Sequence, residues 1–517
     1  SVKNLNSILF HKSNSHQQNL EEKSMKKNFL TVAAMAVVSF FVSTEIAKAA
    51  DISFSGHIRT RWEVNEQGNN GGNGNVGATA AARAAAGQPV TTNSFNNNPD
   101  DFINSSVRLA AKANFSDKTS AFIQMQSIRT WGAGAGAGNA GSGNASAAVS
   151  DGDASVGVHQ AYFTMKDFGS LPLAMDAKVG RQEIILDGHR LFGNTIWTMG
   201  MQTHDAIRLT HAHDNMTLNL GYILAQEDGR SVDSGDNGDR DVYLAHLNVK
   251  GVLGGAFSGY FVYDENTPAS GAFKGDNEVI TVGGRQAGNM FGLNYRGEYY
   301  YQFGSADSQL DSARLATAVN ATTNADRDAY MFGLRVGKAF KNVGMKPSLT
   351  LWYDYLSGTT DEDQRTQDWS SFNTVFDTGH KFYGLIDVFL GVGGGGATGT
   401  QGLGLQDTAI KTKLSPMPGW TLKMDYHWFH TAEGISANTA TTGIASAGAA
   451  DGNDLGNDLG TELDITAVNK YNDNTKIIIG YSNFNPSESF VELKNAGNGS
   501  APYGSQDANW AYVMFDV

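Results

Sequence analysis

What most constrains this chain is a short segment that alternates apolar and polar side chains, ends in a Gly-, Asn- or Asp-rich linker, and then recurs. In the first such segment Ile52, Phe54, Ile58, Trp62 and Val64 share one face, with His57, Arg59, Arg61 and Glu63 on the other. Side chains alternate along a β-strand, so a period of two marks a strand with two unlike faces. Val107, Leu109, Ala111 and Ala113 oppose Arg108 and Lys112 in the same way, and Met216, Leu218, Leu220, Tyr222 and Leu224 form another apolar face. Leu293, Tyr295 and Tyr299 oppose Asn294, Arg296 and Glu298; Leu349, Leu351 and Tyr353 oppose Thr350 and Asp354; Leu422, Met424, Tyr426 and Trp428 oppose Lys423, Asp425 and His427. The last residues place Ala511, Val513, Phe515 and Val517 on one face. No long apolar helical stripe accompanies these runs. About nineteen segments can be marked, and bacterial barrels have even strand numbers, so the expectation is one all-β antiparallel transmembrane β-barrel of about 18 strands, with 16 as the alternative. Long linkers such as 67–98, 132–155, 391–402 and 431–461 are then extracellular loops. Tyr299, Tyr300, Tyr301, Trp352, Tyr353 and Trp428 are assigned to interfacial aromatic girdles.

One stretch departs from simple alternation. Gly180–Leu209 (GRQEIILDGHRLFGNTIWTMGMQTHDAIRL) sets Arg181, Glu183, Asp187, His189, Arg190 and His204 between two alternating runs. Together with FYGLIDVFL at 382–390, GLQD at 404–407, DYHWFH at 425–430, DLGTELDI at 458–465 and FNPSES at 484–489, it resembles the alginate-export family of outer-membrane porins. The resemblance implies a single-chain barrel in the bacterial outer membrane that passes solutes, with alginate, a polyanion, as the family's cargo.

The chain opens on Ser1, and residues 1–24 are polar and patternless, which reads as an upstream extension. From Met25, Lys26 and Lys27 precede the apolar run Phe29–Val42 and the Ala47-Lys48-Ala49 cleavage pattern. A bilayer span needs about 20 apolar residues, so residues 25–49 read as a signal peptide and 50–517 as the barrel. There is no Cys, which removes disulfides, thiolate metal sites and C-x-x-C-H haem attachment.

If the apolar faces meet lipid, the opposite faces line a water-filled lumen. That lumen receives Arg59, Arg61, Arg108, Lys112, Arg296, Arg335, Lys411, Lys413 and Lys423, against Glu63, Glu298, Asp354, Asp407, Asp425, Glu462 and Asp464. Arg181, Asp187, Arg190 and Arg208 are assigned to a wall or constriction network. The full chain carries a net charge of −14, so the negative excess lies in loops, where Glu227–Asp241, Asp361–Asp368 and Asp451, Asp454 and Asp458 cluster. Such loops read as solvated, with weak Ca²⁺ candidacy at Asp451, Asp454 and Asp458; no other cofactor is expected. No G-x-S-x-G, H-E-x-x-H or P-loop occurs, so catalysis is not expected. The acidic balance disfavours nucleic acid as a partner. Expected partners are outer-membrane lipid and lipopolysaccharide, a polar solute, and a periplasmic or extracellular protein. The leading reading is a passive channel for a polar or anionic solute, an oligo- or polysaccharide among the candidates. The alternatives are a general diffusion porin and a structural barrel that encloses or supports an electron-transfer cytochrome.

Overall fold

The computed structural model describes residues 51–65, 100–131, 156–170, 173–226, 239–266, 277–306, 325–360, 363, 368–390, 400, 402–435, 456–496 and 507–517. The signal-peptide and upstream segments, Asp451 and Asp454 lie outside these residues, as do most of the acidic loops. The first third of the barrel comprises β1 (Asp51–Asn65), β2 (Asp100–Asn114), β3 (Thr119–Thr130), β4 (Gly157–Met165), β5 (Asp176–Gln182) and β6 (His204–His213). Next come β7 (Met216–Gln226), β8 (Arg240–Val252), β9 (Gly255–Asn266), β10 (Asn277–Met290), β11 (Leu293–Ala306) and β12 (Ala325–Ala339). Last are β13 (Ser348–Leu356), the two-residue β14 (Asp368–Trp369), β15 (Leu405–Leu414), β16 (Trp420–His430), β17 (Asp458–Lys470), β18 (Lys476–Pro486) and β19 (Ala508–Asp516). Each barrel strand pairs antiparallel with its neighbours, and β1 pairs with both β2 and β19, so the sheet closes. β14 stands apart: it pairs parallel with β12, while β13 pairs directly with β15. The barrel therefore has 18 strands, and the nineteenth is a short inner ladder. Closure satisfies every strand edge internally, which a lipid environment requires.

Connections alternate in length. One end carries tight turns such as 214–215 and 291–292, and the other carries the long loops. In outer-membrane barrels the short turns are periplasmic and the long loops extracellular. Two long loops turn inward: L3, residues 183–203, joins β5 to β6, and L7, residues 357–404, joins β13 to β15. L3 and L7 run side by side at Phe192 and Phe376, with Gly193 N donating to Phe376 O (2.8 Å) and Phe376 N to Leu191 O (2.9 Å). A Cβ on Gly193 would meet Thr378 Oγ1 and His189 Cβ, so only glycine allows this approach.

The apolar core lies inside the barrel at the level of these loops. Leu191, Phe192, Phe372, Phe382, Ile386, Val388 and Phe389 from the loops pack with inward wall residues Ile223, Val242, Val262, Met331, Phe429 and Phe484. A short helix, α1 (Glu488–Ala496), adds Phe490 and Leu493 to the same cluster. Burying each such side chain contributes about 1.5–3 kcal/mol, which holds L3 and L7 against the wall. The outer face shows Phe54, Leu109, Leu334 and Leu351 to lipid, each more than half exposed. Two girdle assignments need correction. Tyr300 and Trp352 face inward: Tyr300 shares parity with Arg296 and Glu298 and is buried, and Trp352 shares parity with Asp354 and donates Nε1 to its Oδ2. Position near a strand end had suggested the girdle, but the period of two decides the face.

Candidate functional site

The inserted loops meet the wall through one fully buried guanidinium. Arg190 of L3 donates to Glu298 Oε1 of β11 from Nε (3.2 Å) and Nη2 (3.1 Å), to Asp354 Oδ2 of β13 (2.5 Å), and to Tyr383 Oη of L7 (2.8 Å). Its plane stacks on the Phe382 ring at 3.8 Å. Burial alone would discharge Arg190, but Asp354, Tyr383 and Glu298 hold it well above the ordinary arginine range. Arg335 closes the network, 3.3 Å from Asp354 and packed on the Trp352 ring, and Arg296 approaches Glu298 at 3.3 Å.

Asp187, three residues earlier, is held by Tyr260 Oη (2.5 Å) and His246 Nε2 (3.1 Å). Burial would raise its pKa, but hydrogen bonds from His246, Tyr260 and Ser258 outweigh it and hold the carboxyl well below the usual range. On the other side of L3 the wall arginines grip backbone carbonyls. Arg59 donates to Ile196 O (2.5 Å), Arg61 to Trp197 O (2.9 Å) and Arg108 to Met199 O (2.8 Å). Their remaining donors are engaged by Asp516, Glu63 and Gln126 respectively. Trp197 itself lies between the Arg61 guanidinium (4.0 Å) and the His380 ring of L7 (4.3 Å). Within L3 and L7, Thr195 and Val375 are β-branched residues at φ 49° and 62°, a conformation that persists only where surrounding packing imposes it.

These contacts revise the lumen's charge. Among the acids assigned to it, Glu63, Glu298, Asp354, Asp407, Glu462 and Asp464 are buried and only Asp425 is half-buried. Among the bases, Arg59, Arg61, Arg108 and Arg335 are buried as well. Lys112, Lys413 and Lys423 remain exposed towards the short-turn end, and the Arg296 and Lys411 side chains stay 12% and 17% exposed. Water in the lumen therefore meets mostly cations. Sequence reasoning missed three further members. Arg285 of β10 and Lys381 of L7 flank Gly188 along with Arg296: a Cβ at Gly188 would meet Arg296 Nη1 at 2.9 Å and Arg285 Nε at 3.6 Å, and Lys381 Nζ donates to Gly188 O (3.2 Å). Lys178 of β5 lies at register with Arg208 of β6. The odd-numbered parity of Arg285 on β10 was the available signal.

The family described as Alginate export matches residues 73–501. The chain belongs to the alginate export family. No curated protein matches it. Among solved structures from Pseudomonas aeruginosa it is similar to OccK9 (OpdG), at 11% identity, 90% of this chain, 98% of that chain and a TM-score of 0.49. It is similar also to OccK8 (OprE), at 12% identity, 90% and 98% coverage and 0.48, and to OccK11 (OpdR), at 10%, 91% and 98% coverage and 0.47. As a member of the alginate export family with a closed 18-strand barrel, the protein is an outer-membrane channel in a lipid and lipopolysaccharide setting.

Within this family member the predicted site residues separate into groups. Asp187 and Arg190 join L3 to the wall, whereas Arg208 lies on the wall below L3. Arg181 does not join them. It pairs with Asp205 (2.7 Å) on the outward parity, because Gln182 and His204 are the inward pair at that level. Lys423 and Asp425 share the inward face of β16, and Asp425 binds Lys411 (3.0 Å). Asp458 starts β17 and accepts the Gly460 amide through Oδ1 (3.0 Å); among the described residues no group of three His, Asp or Glu is placed to hold a metal ion.

Proposed function

We propose that the protein is a passive, non-enzymatic channel for a polar anionic solute, and that the solute class is a carboxylated oligo- or polysaccharide of the kind its family's description names. The observation that carries this reading is the asymmetry of burial in the lumen. The inward carboxylates Glu63, Glu298, Asp354, Asp407, Glu462 and Asp464 are buried, whereas Lys112, Lys381, Lys413 and Lys423 are exposed; Arg285, Arg296 and Lys411 are as partly covered as the carboxylates Asp425 and Glu183. A low-dielectric wall lined by one sign of charge focuses its field and concentrates the opposite ion. The chain's net negative charge does not by itself set the sign at the constriction, since exposed charges are screened beyond roughly 8–10 Å at physiological salt.

The arrangement of L3 and L7 also favours a channel over a barrel that encloses a cytochrome. Their apolar packing across the lumen leaves no place for a folded domain without displacing Arg190 from Glu298 and Asp354. Liposome swelling tests the reading. Oligo-uronates should enter faster than neutral oligosaccharides of equal length, and the reverse order would contradict it.

A further inference from the structure

Below L3, towards the short turns, the wall carries two cations that the architecture leaves without counterions. Lys178 and Arg208 are directly opposed Cα partners on β5 and β6. Like charges placed directly opposite each other across a strand pair are destabilising, and neither side chain forms an ion pair among the described residues. The nearby Glu183 is already committed: its Oε1 accepts from His159 (3.1 Å) and its Oε2 from Asn194 (2.9 Å). Arg208 Nε is buried with no hydrogen-bond partner. Beside the pair, Phe122 of β3 and Tyr162 of β4 stack at 5.2 Å and 28°, facing the lumen, and the Lys178 ammonium lies 3.7 Å from the Tyr162 ring centroid. Lys112 is the Cα partner of Phe122.

We propose that Lys178, Arg208, Tyr162 and Phe122 form a subsite for a carboxylate-bearing pyranose ring between L3 and the periplasmic opening; this rests on reading the barrel as a channel for anionic solutes. The carboxylate lies between the Lys178 ammonium and the Arg208 guanidinium and supplies the charge that the opposed pair lacks. The apolar face of the sugar ring lies against the open face of Phe122, while Tyr162, stacked between Phe122 and Lys178, holds both in place, as ligand sites combine aromatic walls with a few orienting polar groups. Free inorganic anions would use only the cations, which is how the two kinds of ligand are told apart.

The test is block of single-channel current in planar bilayers by a tri-uronate, by its uncharged trisaccharide counterpart and by inorganic phosphate, each added from the periplasmic side. Hydrogen bonds to charged groups contribute about 1.5–3 kcal/mol, so Lys178→Met or Arg208→Met should weaken tri-uronate block roughly tenfold or more. Tyr162→Leu should weaken it less, and Lys178→Arg should retain it, which separates loss of a contact from loss of fold. The trisaccharide and phosphate should block poorly in every form. Tri-uronate block unchanged in both Met variants, or phosphate blocking as well as tri-uronate, would overturn the subsite. The reversal potential in a KCl gradient is read from the same channels. If the unmodified channel prefers anions while the Met variants keep full block, the subsite fails and the anionic-solute reading stands; if the unmodified channel prefers cations, the anionic-solute reading itself fails.

Discussion

Arg190 and Arg208 lie in the same stretch of sequence and meet opposite fates. Arg190 is 2% exposed, touches two carboxylates and a phenol, and stacks on Phe382. Arg208 is half-buried, faces Lys178, and has no carboxylate partner among the described residues. A buried charge persists only with its counterions in place, so Arg190 reads as an anchor that ties L3 to the wall and to L7. A charge left unpaired beside a like charge on a wetted wall is available to a ligand. The comparison shows that the lumen contains two kinds of cation, those that build the constriction and those that use it.

Removing the anchor should produce the largest effect. Arg190→Met removes the partner shared by the buried Glu298 and Asp354 and leaves them to Arg296 and Arg335 alone, a loss bounded by about 3–5 kcal/mol, the cost of a fully broken buried pair. L3 and L7 should undock, single-channel conductance should rise, and protease should cut within 183–203. Arg208→Met should shift thermal stability by no more than about 0.5 kcal/mol; equal destabilisation by the two variants would erase the distinction between them. Gly193→Ala ranks next. Its Cβ would press on Thr378 and His189, and overpacking costs about 1–3 kcal/mol, so conductance should rise without any charge being altered.

A smaller effect depends on pH. Asp377 of L7 is half-buried, with its Oδ2 atom buried, close to Arg190, Tyr383 and Asp387 and with Thr374 bonded to it, and desolvation pushes its carboxyl up to about 7. A carboxyl raised in the docked loop favours docking fully below its ordinary range near 4, and that contribution is lost as pH rises through about 7. Open-channel noise and conductance should therefore increase between pH 5 and pH 8, and Asp377→Asn should remove the step; a step that persists in Asp377→Asn would assign it elsewhere. The smallest effect belongs to Arg181→Ala. Its ion pair with Asp205 is on the exposed outer parity, where such pairs contribute about 0–1 kcal/mol, and a conductance change in this variant would return Arg181 to the lumen.

Much of the wall was legible because a period of two is local information. Arg59, Arg108, Arg296, Glu298 and Asp354 are inward for the same reason that Phe54 and Leu351 are outward. The sign of the wetted lumen was less accessible, because it depends on which inward groups the loops cover. Val242, Met331 and Phe429 are inward and apolar, since L3 and L7 pack on them, and nothing in their own strands announces that cover. The same cover turns Arg59, Arg61 and Arg108 from candidate pore cations into holders of the L3 backbone. Arg181 was placed in the lumen network because β5 is short, Asp176–Gln182, and the outward parity of Arg181 shows only in its pairing with Asp205 beside the inward pair Gln182 and His204.

The central claim is that burying the wall carboxylates under L3 and L7 leaves an anion-attracting passage in a protein of net charge −14. The most direct measurement is the reversal potential of the reconstituted channel across a KCl gradient, for the unmodified protein and for the combined Arg285→Glu, Arg296→Glu and Lys381→Glu variant. The account predicts chloride preference in the unmodified channel at physiological salt and potassium preference in the variant. Potassium preference in the unmodified channel at that salt, or an unchanged reversal potential in a variant that still folds, would contradict it.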